Sequence, residues 1–433
     1  MTNEPAASPT DTPVDVARDV STPATRGWWA RYSSTSPITL TVLALILGVV
    51  IGAFIIMVTS APILDSWRYS FHHLGSIGST LKLTFDTVAA AYRAMVTGSI
   101  IDPTLFFHSI STGQGWDQTL TPISETLTYA TPLVIASIGV GIAFQTGIFN
   151  IGANGQAILG AIAGTAMASM IHLPMIVHLP LTLIAGILGG AVCGMVPGVL
   201  KAYTGAHEVI VTLMFNYVVN AILIYVLTST ALQLPGQSND ISRNFDSTAT
   251  LNPLFGTKSG LRVSYGIFVA AAVVIFAIWF LKRSSLGFDF RITGANPNAA
   301  RASGINPKTI VLTVFLVSGG LSGLAGIVQA ASTTHYIDGG FLIGSAGIGF
   351  TAITIALLGR LQPIGIVWGS LLFAALGVGG RAMQAATGIP LDLATIIQSV
   401  VVLFVASPVL ITEIFRLRSS AESFQLANKG WGS

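Results

Sequence analysis

Charge is what this chain has least of. Only 9% of its 433 residues are Asp, Glu, Lys or Arg, while 52% are hydrophobic and the mean hydropathy is +0.75. A typical soluble domain is about 25% charged, so this chain has too few solvated groups to cover a water-facing surface. A soluble globular domain is excluded, and a polytopic membrane protein is the class that remains. Cysteine is almost as scarce: the lone Cys193 allows no internal disulfide and no thiolate metal site. No Lys follows a Gly, which removes the G-x-x-x-x-G-K-[ST] loop that cradles phosphates, and with it ATP hydrolysis by this chain. The H-E-x-x-H and G-x-S-x-G motifs are missing too, and the seven His are scattered. Nothing in the chain points to an enzyme, a bound cofactor, a metal or nucleic acid.

What is there instead is a series of apolar runs. Between Thr126 and Leu200 no Asp, Glu, Lys or Arg occurs. That is room for three crossings, at Leu127 to Phe144, Ile151 to Ile171 and Leu179 to Leu200, each near the roughly 20 residues a bilayer core requires. Further runs lie at Ile38 to Thr59, from Glu208 onward, Val263 to Leu281, Thr309 to Ala330, Gly339 to Gly359, Leu361 to Gly380 and Leu393 to Thr412. The chain is thus expected to be an all-α bundle of about ten transmembrane helices, with a membrane domain over 37–415. Of the 20 Lys and Arg, thirteen fall on one predicted side and seven on the other, which places both termini in the cytoplasm.

Residues 1–36, rich in Pro, Thr, Ser, Ala and Asp, read as a disordered cytoplasmic tail, and 416–433 as a second, shorter one. Trp28 and Trp29, with Arg26 and Arg31, are suited to anchor the first crossing at the headgroups. Between 60 and 125 charges and apolar residues mix. There the spacing from Thr80 to Met95 fits a helix lying on the outer face, with a simple external loop as the alternative. The polar stretch 235–262 falls outside by the alternation of crossings and is the natural docking surface for an external partner.

Three polar features interrupt this pattern. The first is an island over 282–308, KRSSLGFDFRITGANPNAARASGINPK, with five Lys or Arg against the single Asp289. By charge alone it fits a solvated basic loop that only fixes orientation as well as a functional segment, but inside it Asn296 is placed to cap a short helix, Pro297 to occupy its first turn and Gly304 to end it. The second is GIFNIGANGQ over 147–156, where amides and glycines break an apolar run. Backbone freed at membrane depth needs protein or water to satisfy it. Asn150, Asn154 and Gln156 are therefore candidates to face a central pathway, and interhelical hydrogen bonding is the equal alternative. The third is HEVIVTLMFNY over 207–217. In it Glu208 favours the helix dipole, while Asn216 and Asn220 share a face that lines a pathway or bonds to a neighbour. Gly160 with Gly164, Gly186 with Gly190 and Gly194 with Gly198 permit close helix contact.

These features, taken in chain order, resemble the permease subunits of ABC importers in the nucleoside and simple-sugar branch. The likeness rests on F-N-I-G-x-x-G-Q at 149–156, on the run at 207–217, on the island, and on GIGFTAITIALLGRLQPIGI at 347–366. It covers about Leu127 to Ser407. The chain departs from the pattern at Ile292, where Ala is usual, at Asn154, where an acid is frequent, and at Thr351, where Asp is common.

The resemblance implies a passive pathway for a nucleoside or sugar through Asn150, Asn154, Gln156, Asn216, Asn220 and Thr351. It implies that a separate ABC ATPase subunit hydrolyses ATP and grips the island at Arg291, Gly294, Asn296, Ala299, Ala300 and Gly304. It also implies a second permease chain, an extracytoplasmic substrate-binding lipoprotein, and a site in the bacterial plasma membrane with lipid around it. An ion-driven secondary transporter is the alternative. The expected crossings carry no ionisable group inside the bilayer, which weighs against it.

Overall fold

Fifteen helices make up most of the described chain in this computed structural model, which describes residues 37–256, 258–341, 347–406, 410, 411 and 414. Both expected tails, the Trp28–Trp29 anchor and the end of the last expected crossing at Thr412 lie outside the described residues. The helices are α1 (Pro37–Thr59), α2 (Ala61–His72), α3 (Ile77–Thr97), α4 (Pro103–Thr112), α5 (Trp116–Gln145), α6 (Ala153–Met170), α7 (Met175–Thr204) and α8 (Glu208–Thr228). After a long connection come α9 (Gly266–Arg283), α10 (Ser285–Ala295), α11 (Pro297–Ala302), α12 (Pro307–Gln329), α13 (Ile348–Leu358), α14 (Pro363–Thr387) and α15 (Asp392–Ala406).

Every expected crossing contains a helix among the described residues. Seven helices of the described chain are long and apolar enough to cross a bilayer: α1, α5, α7, α8, α9, α14, and α12 with the turn that extends it to Thr334. The 18-residue α6 falls short because Asn154, Gln156 and its glycines dilute it. The described part of α15 has 15 residues. Within the expected crossing from Gly339 to Gly359 the described helix is the 11-residue α13. At about 1.5 Å per residue α13 spans roughly half of a 30 Å core. Ahead of it the Phe341 amide donates to the Asp338 carbonyl in a turn, 3.0 Å.

The core is built on α12, which packs against α7, α6 and α5. Lipid tails are as apolar as Leu, so helices in a bilayer gain by close packing rather than by burial from water. The α7–α12 seam shows how close. A Cβ on Gly190 would sit 2.2 Å from the Gly319 carbonyl oxygen, one on Gly323 2.3 Å from that of Gly186, and one on Gly194 2.4 Å from that of Phe315. Gly160 brings α6 to the same place, with a built Cβ 2.3 Å from the Gly323 Cα. The three glycine pairs read from the sequence therefore converge on one partner, α12.

Residues 60–112 are helical rather than looped. One face of α3, carrying Thr80, Thr84, Ala91 and Met95, is buried, with α14 as its main partner. Helix α1 packs on α15 and is held to α3 by the Tyr92 hydroxyl, which donates to the Val49 carbonyl at 2.6 Å.

The connection 229–265 lies over the end of the bundle where α6 and α12 finish. The Asp246 amide donates to the Ala168 carbonyl and the Leu251 amide to that of Ala331, both at 2.9 Å. Its own Leu232, Phe245, Leu251 and Leu261 are buried. The Asp246 carboxylate also lies 2.8 Å from Nδ1 of His172. That hydrogen bond, followed by the bond from the Thr248 amide, holds the carboxyl below its usual 3.8.

Candidate functional site

The break between α5 and α6 leaves backbone groups without helical partners, and the amides picked out in the sequence satisfy them. Asn150 makes four hydrogen bonds. Its Nδ2 donates to Gln156 Oε1 and to Ser318 Oγ, each at 2.8 Å, and its Oδ1 accepts from the Gly152 amide and from Gln156 Nε2. Its amide capacity is fully used. Asn216 reaches over from α8, accepting from the Gly155 amide at 2.9 Å and donating to the Ile151 carbonyl at 3.1 Å. Asn154 Oδ1 lies 3.5 Å from the Gly349 amide at the start of α13. Asn150, Asn154, Gln156 and Asn216 are all buried, and each joins separate elements. Asn220, one turn beyond Asn216, keeps a buried Oδ1 with no hydrogen-bond partner among the described residues.

The sixth pathway candidate has a different position. Thr351, in the first turn of α13, lines an open cavity of about 270 Å³ whose walls come from α5, α12, α13, α14 and α15. Its other polar walls are Tyr129, Gln329, Arg381 and Gln398, with Phe373 among the apolar ones. The Arg381 guanidinium sits 4.0 Å from the centre of the Tyr129 ring, a cation–π contact. Gln398 Nε2 donates to the Phe373 carbonyl at 3.3 Å and leaves its oxygen for another donor. Of the six residues, then, Thr351 reaches the cavity. The four bonded amides hold the broken backbone behind it.

Sequence reasoning missed Tyr129, Gln329, Arg381 and Gln398. The available signal was a polar side chain within an otherwise apolar helix. In Arg381 that signal was absorbed into the count of charges by side.

At the other end of these helices stands the 282–308 segment. Ser284 caps α10, its hydroxyl accepting from the Gly287 amide at 2.9 Å. Phe290 is fully buried and meets Phe280 edge-on at 5.5 Å, pinning α10 to α9. Gly294 lets α10 press on the end of α5, since a Cβ there would lie 2.0 Å from the Gln145 carbonyl oxygen. Gln145 in turn donates through Nε2 to the Leu361 carbonyl at 2.6 Å. That bond ties in the turn where Arg360 and Leu361 both take left-handed φ, at 53° and 58°.

Helix α11 rides on this block. Asn296 caps it by accepting from the amides of Asn298 and Ala299 at 3.0 and 3.1 Å. Pro297 fills its first position, and Gly304, with φ +83°, turns the chain away after it. Ala300 is buried underneath, whereas Asn298, Ala299, Arg301 and Gly304 are exposed. The segment closes with Asn306, which accepts from the Lys308 amide and so caps α12. Thus Gly294 and Ala300 form the seat of the segment, Asn296 shapes it, and Arg291, Ala299 and Gly304 lie on its surface.

A helix bundle with glycine-seamed packing, a backbone break buried at its centre, a half-length helix facing a polar cavity and a capped, solvent-facing helix at one end defines a class: a multi-pass membrane transport protein. Comparison with known proteins narrows this. Residues 123–406 match the family described as "Branched-chain amino acid transport system / permease component", and the chain belongs to that family. It is a membrane permease of the ABC importer type, in a family of transport permeases. It is 36% identical over 289 residues to the glucose ABC transporter permease protein TsgB13 of Haloferax volcanii, covering 65% of this chain and 75% of that one. It is 32% identical over 288 residues to the guanosine ABC transporter permease protein NupP of Bacillus subtilis, covering 66% and 81%. It is 33% identical over 292 residues to the nucleoside ABC transporter permease protein NupB of Lactococcus lactis, covering 66% and 79%. No solved structure matches the chain. Helices α1 to α4 precede the matched region.

Proposed function

We propose that this chain forms part of the translocation pathway of a nucleoside or simple-sugar importer and is driven through α11 by a separate ATPase. The observation that carries the reading is the construction of the 282–308 segment. A short helix capped by its own Asn296 is held out from the bundle on a block that joins the ends of α5, α9, α10 and the 359–362 turn. A helix loosely attached to its neighbours transmits little force. This one is fixed through Phe290, Gly294 and Ala300, so a pull on it moves α5 and α9 with it, a rigid-body change of the alternating-access kind.

In this reading the segment and both termini face the cytoplasm of a bacterial cell, a second permease chain completes the pathway, and a substrate-binding lipoprotein docks over 229–265. The cavity around Thr351 is the solute-contacting wall. The names of the relatives support nucleosides and sugars as the solute class.

The test is uptake of labelled nucleoside and of glucose by cells carrying the chain with its ATPase, its partner permease and its binding protein. Ala299→Trp adds bulk to the exposed face of α11 without entering the seat. Uptake is expected to fall at least tenfold while the amount of inserted protein stays the same. Normal uptake in that variant would remove α11 from the coupling role.

A further inference from the structure

Beside the seat of α10, at the same end of the bundle, two hollows meet. One, of about 290 Å³, is lined by Gln145, Ile278, Lys282, Arg291 and Ile364. The other, shallower and of about 660 Å³, is lined by Ile275, Ile278, Trp279, Lys282 and Arg283. They share Ile278 and Lys282. Three cations thus border one surface: Lys282 and Arg283 from the last turn of α9 and Arg291 from α10. No carboxylate lines either hollow. Among the described residues none of the three cations has an ion-pair partner within 4.0 Å, and Asp289, the one acid of the segment, makes no ion pair either.

Immediately toward the middle of α9 the surface turns apolar. Ile275 is 68% exposed, Trp279 55% and, from α14, Ile364 62%. An exposed Trp with Ile below a cationic helix end marks a lipid boundary; what sets this end apart is that cations from two helices, Lys282 and Arg283 of α9 and Arg291 of α10, border adjoining hollows. Cations above, an amphipathic ring at the boundary and an aliphatic groove beneath make the profile of one molecule of lipid.

We propose that these hollows bind an anionic phospholipid, with its phosphate held by Lys282, Arg283 and Arg291 and an acyl chain laid along Ile275, Ile278 and Ile364. Charge complementarity selects the headgroup: a zwitterionic lipid brings its own cation to a surface that already holds three. Because Lys282 belongs to α9 and Arg291 to α10, the phosphate bridges a membrane helix to the segment that carries α11. Anionic lipid therefore stiffens the link through which the segment moves the bundle. The site itself does not depend on what the protein transports.

The full chain, purified in a neutral detergent, is titrated with phosphatidylglycerol or with phosphatidylcholine and the bound lipid is counted by native mass spectrometry. Wild type is expected to bind phosphatidylglycerol more than tenfold tighter. Removing one cation from an anionic-lipid contact weakens it about fivefold. The Lys282→Gln, Arg283→Gln double variant is therefore expected to lose roughly 25-fold in phosphatidylglycerol affinity and little in phosphatidylcholine affinity. Two further arms separate the sources of the anion. Inorganic phosphate at millimolar concentration is expected not to displace the lipid, and Ile275→Asn with Ile364→Asn is expected to weaken it with all three cations in place. Equal affinity for the two lipids, displacement by phosphate, or an unaffected double variant would each overturn the proposal. If lipid binding behaves as expected while Ala299→Trp leaves uptake intact, the coupling role of α11 fails and the lipid site stands.

Discussion

Along the α7–α12 seam helices meet backbone to backbone, through Gly186, Gly190 and Gly194 on one side and Gly319 and Gly323 on the other. In the 284–306 segment helices meet their neighbours at single points, and their ends are closed by Ser284, Asn296 and Asn306 from within the segment itself. The seam owes its contact to side chains that are missing; the segment owes its shape to polar side chains that are present. A bilayer offers an apolar surface no gain from hiding, so the interior is held by fit. Near water, where helix ends have competing partners, local capping keeps a six-residue helix formed. The difference teaches where each is vulnerable: the seam to added volume, the capped helix ends of the segment to a lost hydrogen bond.

The comparison breaks most severely at Gly190. Gly190→Leu forces a side chain into the Gly319 carbonyl and separates α7 from α12, with an expected loss of at least about 3 kcal/mol and little inserted protein recovered, read by thermal unfolding in detergent. Next comes the amide cluster behind the seam. Asn150→Ala strands Gln156 and the Gly152 amide, and a loss of roughly 2 kcal/mol in the same measurement is expected, with the cavity around Thr351 intact. In the segment the balance reverses. Asn296→Ala is expected to remove about 1 kcal/mol of local α11 stability, to leave the unfolding temperature of the bundle nearly unchanged, and to lower solute-stimulated ATPase activity of the assembled importer severalfold. A large fall in unfolding temperature would mean that the segment is built like the seam after all.

The smallest effect belongs to pH. The Asp246 carboxyl titrates below its usual 3.8 because His172 and the Thr248 amide bond to it. Its contribution is therefore complete above 3.8 and is lost as pH falls through its lowered value, since the unfolded chain takes up the proton first. Hydrogen exchange of residues 246–249 is expected to quicken only in that acidic window, and the window should shrink in His172→Ala.

Much of this architecture was readable before any coordinates. The apolar runs located a helix in every expected crossing, and Asn296, Pro297 and Gly304 located α11 with its cap and its end. Capping is local chemistry, complete within four residues, so sequence suffices for it. The glycine pairs announced close packing but not the partner, because spacing identifies a face and not what lies across from it. The amides were harder. Asn150 and Asn216 in an apolar run fit a pathway and a brace equally well, and the choice turns on whether Ser318 and the Gly155 amide stand within 3 Å of them. Those partners lie 168 and 61 residues away. The cavity was not legible at all, since Tyr129, Gln329, Arg381 and Gln398 come from four helices and no spacing relates them.

The sequence by itself determined the solvent of this protein, the position of its helices, the self-capped segment at 284–306 and the family likeness, because each depends on composition or on residues close along the chain. Tertiary structure alone decided that α13 is a half-length helix, that α12 is the hub on which three glycine pairs converge, and that a cationic ring pair and three polar side chains share one cavity. Those facts depend on which helix faces which. In a medium that rewards fit over burial, that is set by matched surfaces distributed over the whole chain.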